Sequence, residues 1–322
     1  MKTNKESIFK LLILVFLVQS CKTSKNPFIT DVFTADPAPL VYNDTLYLYT
    51  SHDGATVEDT NYKMPDWHIF STADMVNWKG YGAQLSPKTF SWATGDAYAA
   101  EAIHHNGKFY WFVSTFHKES ERSKGGAAIG VAVSDTPTGP FKDAIGEALI
   151  YNEMTTDVKH GWDDIDPTVF VDDDGQAYLF WGNLSCRWVK LKDNLIELDG
   201  PVNYIKPNNF IEGPWVYKRK DLYYLVYAAK GENSEVVDYC ISKNIQGPWE
   251  YKGNISDSAP NSFTTHPGII NYKGKSYFFS HNGTLPTGGS YRRSIIVEDM
   301  YYNEDGTIKK IKQTKKGVKR VK

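Results

Sequence analysis

Short apolar strands separated by turns follow one another along most of this chain. Five segments share one order of residues: a polar or acidic residue, proline or small residues, an apolar strand, a tight turn and an aromatic strand. The turns contain Asn-Asp, Asn-Gly, Asp-Asp-Gly, Arg-Lys-Asp and Lys-Gly, which are mostly residues that favour hairpins. No segment keeps an apolar period of 3.6 residues, so the sequence predicts many strands and few helices.

The five segments form an internal repeat. They begin at Asp36, Glu101, Asp166, Glu212 and His266, which lie 65, 65, 46 and 54 residues apart. Each is followed by a third, more polar strand, and the Thr-Gly-Pro-Phe and Gln-Gly-Pro-Trp turns recur at matching places. A sheet of this size cannot bury both of its faces alone, so the units must stack around an axis. The repeat predicts an all-β fold, a five-bladed β-propeller with a central channel; the alternative is a β-sandwich whose similar segments are coincidental.

Residues 1–20 are predicted to be a signal peptide. Three lysines precede the apolar run at 11–18, which is too short to span a bilayer. The sequence Val-Gln-Ser-Cys that ends at Cys21 resembles a bacterial lipobox, although its glutamine departs from the usual small residue. This pattern predicts an exported protein held at a membrane by a lipid on Cys21. The alternative is an ordinary cleaved signal.

The rest of the chain divides into three predicted parts. Residues 21–32 are expected to be a tether, 33–312 the propeller, and 313–322 a solvated basic tail. Cys186 and Cys240 lie in strand-like runs. Export makes a disulfide between them possible, and two buried free thiols are an equal alternative.

Composition narrows the class of protein. The 36 basic and 38 acidic residues give a net charge of −2, which lacks the basic surface of a nucleic-acid-binding protein. Aromatic residues make up 14% of the chain, and aromatic faces are common where sugars stack. The sequence has no phosphate-binding loop, dinucleotide fingerprint or nucleophile elbow, so we expect no organic cofactor.

The leading residues of the repeat carry the candidate chemistry. The innermost strand of each blade lines the channel of a propeller, so these residues are expected to meet at one end of the axis. Carboxylates that share a pocket raise one another's pKa values. Such a cluster can provide one protonated acid and one ionised base at neutral pH, which is the pairing that glycoside hydrolysis requires.

Four motifs make the sequence resemble glycoside hydrolase family 43 over about residues 33–310. They are Ala35-Asp36-Pro37, Ile165-Asp166-Pro167-Thr168, Ile211-Glu212-Gly213-Pro214-Trp215 and Thr264-Thr265-His266-Pro267-Gly268. Local strings such as DWHIFSTADMVNW look most like the arabinofuranosidase and xylosidase members that act on arabinoxylan. The resemblance implies a five-bladed propeller and hydrolysis with inversion.

The resemblance also implies roles for three carboxylates. Asp36 would be the general base that activates water, Glu212 the general acid, and Asp166 the residue that orients the acid and keeps its pKa high. An inverting pair stands roughly 6.5–9.5 Å apart to leave room for water, which positions across a channel can supply. Glu101 leads a repeat, but the family's acid–base chemistry uses no residue there, so Glu101 is left outside the catalytic set.

Three further residues are candidates for substrate contacts. Trp92, between the first two blades, would lie under a sugar or pack between the blades. Asn183 follows a strand and would contact a hydroxyl or cap a turn. Adjacent strand residues point to opposite faces, so only one of Arg292 and Arg293 can face the channel. The family register favours Arg293, which would bind sugar hydroxyls and Asp166; a surface ion pair is the alternative.

His266 is the candidate metal ligand. The resemblance implies a calcium ion near it, held largely by water. Calcium prefers oxygen ligands to imidazole, so we expect a weak and partly structural site. The alternative is a buried histidine with satisfied hydrogen bonds.

These observations predict a glycosidase that removes terminal α-L-arabinofuranosyl units from arabinoxylan of the plant cell wall. A β-xylosidase or an arabinan-cleaving enzyme of the same family is the first alternative. A sugar-binding propeller without catalysis is the second, although a binding protein has no use for three mutually repelling carboxylates.

Overall fold

The structure of this chain is a computed structural model that is almost entirely β. It describes residues 23–121, 123–155, 157 and 160–322. The predicted signal peptide and Cys21 lie outside these residues. Within them, 21 strands form five antiparallel sheets, and the helical segments are two short 3₁₀ turns, Pro87–Thr89 and Asn152–Met154. No helix in this part of the chain has the length and apolar character needed to cross a membrane.

The five sheets are the blades of a five-bladed β-propeller, as the repeat predicted. Blade 1 contains β1 (Thr34–Tyr42), β2 (Thr45–His52), β3 (Trp67–Thr72) and β4 (Lys79–Leu85). Blade 2 contains β5 (Ala93–Thr94), β6 (Ala100–His105), β7 (Lys108–Glu119), β8 (Lys124–Ser134), β9 (Lys142–Asp143) and β10 (Ile150–Tyr151). Blade 3 contains β11 (Thr168–Val171), β12 (Ala177–Trp181), β13 (Cys186–Leu191) and β14 (Asn203–Ile205).

The last two blades follow the same order. Blade 4 contains β15 (Phe210–Arg219), β16 (Leu222–Lys230), β17 (Glu235–Ser242) and β18 (Glu250–Ser256). Blade 5 contains β19 (Gly268–Tyr272), β20 (Lys275–Asn282) and β21 (Ser294–Met300). The first long strand of each blade is innermost: β1, β6, β11, β15 and β19 neighbour one another in turn around the axis.

Apolar side chains fill the spaces between neighbouring blades. At the junction of blades 5 and 1, Leu48 and Phe70 pack in one buried cluster with Phe279 and Val297. Similar clusters join blades 2 and 3 and blades 3 and 4. Burying apolar area contributes about 25 cal/mol per Å², so the stacking of blades supplies stability that no single blade has.

The two ends of the described chain close the ring, which corrects the predicted tether and tail. Ser24 N–H donates to the Val318 carbonyl at 2.8 Å, and Phe28 N–H donates to the Ile295 carbonyl in β21 at 3.3 Å. Ile29, Val318 and Val321 are buried. Residues 23–32 are therefore packed against blade 5, and the basic tail is fixed by its two valines rather than solvated along its length.

A side-chain clasp ties this N-terminal segment to both of its neighbours. Asn26 Nδ2 donates to the Val297 carbonyl at 2.9 Å, and Asn26 Oδ1 accepts from the Val297 N–H at 3.0 Å. The Phe28 ring stacks on Trp78 of blade 1, with the ring centroids 4.6 Å apart. The segment thus bridges the last blade and the first.

A chain that starts at residue 33 will be less stable than one that starts at residue 23. It loses the burial of Ile29, worth about 1.5–3 kcal/mol, and two hydrogen bonds of Asn26, worth roughly 1 kcal/mol each. We expect the melting temperature to fall by at least about 5 °C. Calorimetry of the two chains measures this difference, and equal melting temperatures would show that the clasp adds nothing.

Cys186 and Cys240 are both buried free thiols. They lie on β13 and β17 in adjacent blades, within one apolar cluster. Of the two alternatives left open by the sequence, the structure has the free thiols.

Candidate active site

A pocket of about 300 Å³ lies where the inner strands of four blades begin. Half of the residues that line it are acidic or aromatic; the full set is Asp36, Tyr62, Met64, Tyr98, Ala99, Trp162, Ile165, Asp166, Asn183, Ile211, Glu212, Glu235, Phe263, Thr264, His266 and Arg293. Four of the five leading residues of the repeat therefore meet, as the repeat predicted. Asn183 and Arg293 are also in the wall.

Backbone irregularities aim the carboxylates into this pocket. The β1–β2 register shifts between Ala35 and Ala38, so Asp36 lies at a bulge. The β15–β16 register shifts on both sides of Glu212. A bulge rotates one side chain out of the regular alternation, which is why bulges are common next to active sites. Asp36 and Asp166 both have positive φ, 52° and 61°, a left-handed conformation that aspartate tolerates better than most residues.

The glycine after Glu212 is required by the geometry. Gly213 has a φ of 59°, and a Cβ at this position would lie 3.0 Å from His266 Nδ1. Its N–H donates to Asp166 Oδ2 at 3.0 Å. Asp166 is in turn held by its own N–H, which donates to Ser114 Oγ at 2.8 Å. The Glu-Gly-Pro motif thus fixes Glu212, Asp166 and His266 relative to one another.

Arg293 is the cationic centre of the pocket. Its Nε and Nη2 donate to the two oxygens of Asp53, each at 2.9 Å, and its Nη1 donates to Asp36 Oδ1 at 3.1 Å. All three side chains are buried. Burial alone would raise the pKa of Asp36, but Arg293, with smaller effects of His266 and His281, holds it below its usual value. Asp36 is therefore ionised at neutral pH.

The other carboxyl groups of the pocket are shifted the opposite way. Burial, with a further contribution from the charge of Asp36, raises the pKa of Glu212 to about 7, although Asn183 Nδ2 donates to Glu212 Oε2 at 2.7 Å. Burial and then the charges of Glu212 and Asp36 raise the pKa of Asp166 well above its usual value. Burial and the charge of Glu212 raise the pKa of Glu235 to about 9. One pocket therefore holds an ionised carboxylate and several groups that retain protons.

Two groups of aromatic rings form the rim. The Tyr62 ring lies over Arg293, 4.7 Å from the guanidinium carbon, and packs with Tyr291 and Phe263. On the other side Trp162 packs edge-on against Tyr98, with centroids 4.8 Å apart. Phe263 and Trp162 are 42% and 40% exposed, which is unusual for such large apolar side chains and leaves their faces open to a ligand.

Two predictions about the pocket need correction. Glu101 leads its repeat but does not line the pocket; its Oε2 accepts from the Val169 N–H at 3.2 Å. Trp92, predicted as a substrate contact, is buried in the core of blade 2, where its ring stacks on His117. Gly130 makes room for it, since a Cβ there would lie 2.6 Å from the Trp92 ring. Trp92 has its alternative role, which is packing.

The surroundings of His266 do not form a calcium cage. Its Nδ1 lies 3.9 Å from Asp166 Oδ2, and burial lowers the pKa of His266. Calcium takes six to eight oxygen ligands, and among the described residues no group of three carboxylate, histidine or cysteine donors is centred on His266. The metal at His266 stays a prediction, and no step below depends on it.

Sequence reasoning missed Asp53, Glu235 and the rim aromatics. Asp53 follows β2 and Glu235 begins β17, so neither belongs to the leading positions of the repeat. Each is an acidic residue next to the end of a second strand or at the start of a third strand. Such a position cannot be assigned to the pocket until the register of the blade is known. Tyr62 lies in the loop between β2 and β3, and Trp162 lies in the loop between blades 2 and 3. An aromatic residue in such a long loop is the signal that could have indicated a substrate contact.

The fold and this pocket define a class of protein. It is a β-propeller whose central pocket holds one ionised and one protonated carboxyl group, the pair that glycosidic hydrolysis requires. A family model described as glycosyl hydrolases family 43 matches residues 24–308. The chain belongs to this family and is a glycoside hydrolase. The resemblance noted in the four motifs is thereby confirmed.

Individual relatives agree with this assignment. A xylosidase/arabinosidase from Humicola insolens is 29% identical over 88% of this chain and 98% of its own length. A β-xylosidase/α-arabinofuranosidase from a compost metagenome, solved with xylotriose in a calcium-free form, has a TM-score of 0.79 and 28% identity, covering 91% of this chain and 98% of its own. An α-L-arabinofuranosidase from Clostridium thermocellum has 34% identity and a TM-score of 0.75, covering 89% of this chain and 96% of its own.

Proposed function

We propose that this enzyme removes terminal α-L-arabinofuranosyl units from arabinoxylan or its oligosaccharides, with inversion. The observation that carries the proposal is the pair of opposite pKa shifts in one pocket. Arg293 keeps Asp36 ionised, whereas burial keeps a proton on Glu212 up to about pH 7. An inverting glycosidase needs these two states at once, one as base and one as acid.

The proposed reaction uses three carboxyl groups. Asp36 takes a proton from a water molecule, whose oxygen forms a bond to the anomeric carbon. The bond from that carbon to the leaving oxygen breaks, and Glu212 gives its proton to this oxygen. Asp166 positions the acid, because it binds the N–H of Gly213, the residue that follows Glu212. At the end of the cycle Asp36 carries a proton, Glu212 has lost one, and solvent restores both.

The shape of the pocket supports action at the end of a sugar chain. Its volume of about 300 Å³ is at the lower limit for ligand pockets. The exposed faces of Trp162 and Phe263 offer stacking surfaces beside the acid–base pair. Relatives named arabinoxylan arabinofuranohydrolase, from Paenibacillus polymyxa and Bacillus subtilis, support the choice of arabinoxylan.

Incubation with wheat arabinoxylan tests the proposal. We expect chromatography to show free arabinose, and NMR at early times to show it as the β-anomer that inversion produces. Release of xylose alone would favour the xylosidase alternative. Binding of oligosaccharide without release of any pentose would overturn the enzyme proposal in favour of a sugar-binding role.

A β-xylosidase is the second candidate. It is favoured by the structural neighbour solved with xylotriose, which is described as a β-xylosidase/α-arabinofuranosidase. Comparing kcat/KM on nitrophenyl α-L-arabinofuranoside and nitrophenyl β-D-xyloside ranks the two. The proposal expects the arabinofuranoside to have the higher value.

The pH dependence of kcat/KM on an arabinoxylan oligosaccharide should be bell-shaped. Activity will fall as pH rises through about 7, because Glu212 loses the proton that the leaving oxygen needs. It will fall on the acid side only below the usual range of aspartate, since Arg293 lowers the pKa of Asp36. Initial rates at constant ionic strength measure both limbs. Activity that is flat from neutral to alkaline pH would contradict the role of Glu212.

We also propose that the enzyme is exported and anchored by a lipid on Cys21. The lysine-rich start, the apolar run and the Val-Gln-Ser-Cys sequence support this. Labelling of cells with a radioactive fatty acid should mark the protein and not its Cys21→Ser variant. Equal labelling, or none in either, would refute the anchor.

A further inference from the structure

A second group of chemically active side chains lies on blade 1, outside the pocket. His52 ends β2, Asp66 directly precedes β3, and His68 is the second residue of β3. The His52 N–H donates to the Asp66 carbonyl at 3.2 Å, so these residues are opposite each other. Side chains two residues apart on a strand share a face. The pairing therefore places all three side chains on one face of the blade.

Both imidazole rings approach the same carboxylate oxygen of Asp66. Asp66 Oδ1 is 2.8 Å from His52 Nδ1 and 2.9 Å from His68 Nε2. The two imidazole centroids are 4.5 Å apart, and one donor atom from each residue lies within 4.8 Å of the others. The side chains are 22%, 23% and 12% exposed for His52, Asp66 and His68, so solvent reaches them although the blade holds them in place.

We propose that His52, Asp66 and His68 bind a divalent transition metal ion of the zinc type. Two imidazole nitrogens and one carboxylate oxygen, with water as the fourth ligand, are a donor set that zinc takes. Imidazole suits zinc, copper and nickel, whereas magnesium and calcium require mostly oxygen ligands. Zinc bonds of about 2.0–2.1 Å place tetrahedral ligands about 3.3 Å apart, so each imidazole nitrogen needs to move about half an ångström away from the Asp66 oxygen.

The protonation of the group suits a cation. Burial would raise the pKa of Asp66, but the hydrogen bonds from His52 and His68 hold it below its usual value, so the carboxylate is anionic. Each neutral imidazole can present its unprotonated nitrogen to the ion after a change of tautomer. A bound ion would replace the two hydrogen bonds to Asp66 with three metal–ligand bonds.

The position of the site gives the ion a structural effect. His52 and Asp66 flank the 53–65 loop, which carries Tyr62 and Met64 to the pocket and Asp53 to Arg293. A metal that joins these ends closes the loop at its base. It will therefore stabilise the folded state by an amount that grows with the logarithm of the free metal concentration once that concentration exceeds the Kd.

Titration of tag-free, full-length protein with zinc chloride tests the site. We expect calorimetry to show one zinc per chain, Co²⁺ to give the visible absorption bands of a four-coordinate ion, and zinc to raise the melting temperature. Asp66→Asn and His68→Gln should each weaken zinc binding at least about tenfold and abolish the cobalt bands. His105→Gln is the matched control, because His105 also contacts an aspartate, Asp193 at 2.9 Å, but only as a pair.

Three results would overturn the proposal. They are no zinc binding by the unmodified protein, undiminished binding by either folded variant, and equal loss in the His105→Gln control. Near-ultraviolet circular dichroism establishes that each variant is folded. His52→Gln removes the remaining donor and serves as a third variant. If only one of Asp66→Asn, His68→Gln and His52→Gln is folded, its zinc affinity alone decides the outcome.

Discussion

Replacing Glu212 with glutamine will lower kcat on an arabinoxylan oligosaccharide by about 10²–10⁴-fold, the usual contribution of a general acid. Glutamine keeps the size of the side chain and can still accept from Asn183 at the oxygen that now accepts at 2.7 Å. It cannot give a proton to the leaving oxygen. The melting temperature should stay nearly unchanged or rise, since a buried, partly ionised group is replaced by a neutral one.

The leaving group separates loss of the acid from general damage. A nitrophenyl leaving group departs with little help from a proton, so the loss in Glu212→Gln should be much smaller on nitrophenyl arabinofuranoside than on the oligosaccharide. Asp36→Asn should lower kcat by the same factor on both substrates, because it removes the general base. Glu101→Gln is the matched control: it is a leading carboxyl outside the pocket whose pKa burial raises to about 8. Unaltered activity in Glu212→Gln would remove Glu212 from its role.

Replacing Arg293 with methionine will lower the free energy of unfolding by about 3–5 kcal/mol, the usual result of removing one partner from a buried charged group. It leaves Asp53 and Asp36 buried without their cation. Urea unfolding measures the loss. The pKa of Asp36 will rise at the same time, so the acid limb of kcat/KM will move to higher pH.

Neighbouring residues provide the controls for this experiment. Arg292→Met, one position earlier and less buried, loses hydrogen bonds to the Thr287 and Thr56 carbonyls, but it should lower the free energy of unfolding by clearly less than Arg293→Met, because it leaves no buried carboxylate without its cation. The double variant Asp53→Asn with Arg293→Met should lose less free energy of unfolding than the sum of the losses in the two single variants. The reason is that residue 53 then carries no buried charge that needs a cation. An additive double variant, or an unmoved acid limb, would show that Arg293 does not act through these carboxylates.

The architecture was predictable because its causes are local. Two-residue turns need left-handed backbone, and the residues that tolerate it are visible in the sequence. Asn43 and Asp44 have φ of 46° and 57° in the β1–β2 turn, and Asn106 and Gly107 have 48° and 75° in the β6–β7 turn. Once each hairpin is placed, the repeat fixes which residues begin an inner strand, and Asp36, Asp166 and Glu212 follow.

The remaining features depend on contacts between distant parts of the chain. Trp92 looked like a rim residue because the small residue that receives it, Gly130, belongs to a strand further along the chain. The partner of Arg293 was expected to be Asp166, but the bulge at Asp36 and the end of β2 bring Asp36 and Asp53 to it instead. Val318 and Val321 are single apolar residues among lysines, and their burial depends on the N-terminal segment.

The hydrogen bond between Ser24 and Val318 brings the two ends of the described chain together, so the ring can be opened at another place. Because the two ends lie side by side, a short linker can join them, and new ends can be opened in a surface hairpin such as the one at Asn43 and Asp44. The resulting circular permutant keeps every blade and every wall of the pocket. It moves the hydrogen-bonded seam from the junction of blades 5 and 1 into blade 1, where the antiparallel pairing of β1 with β2 must hold the ring closed.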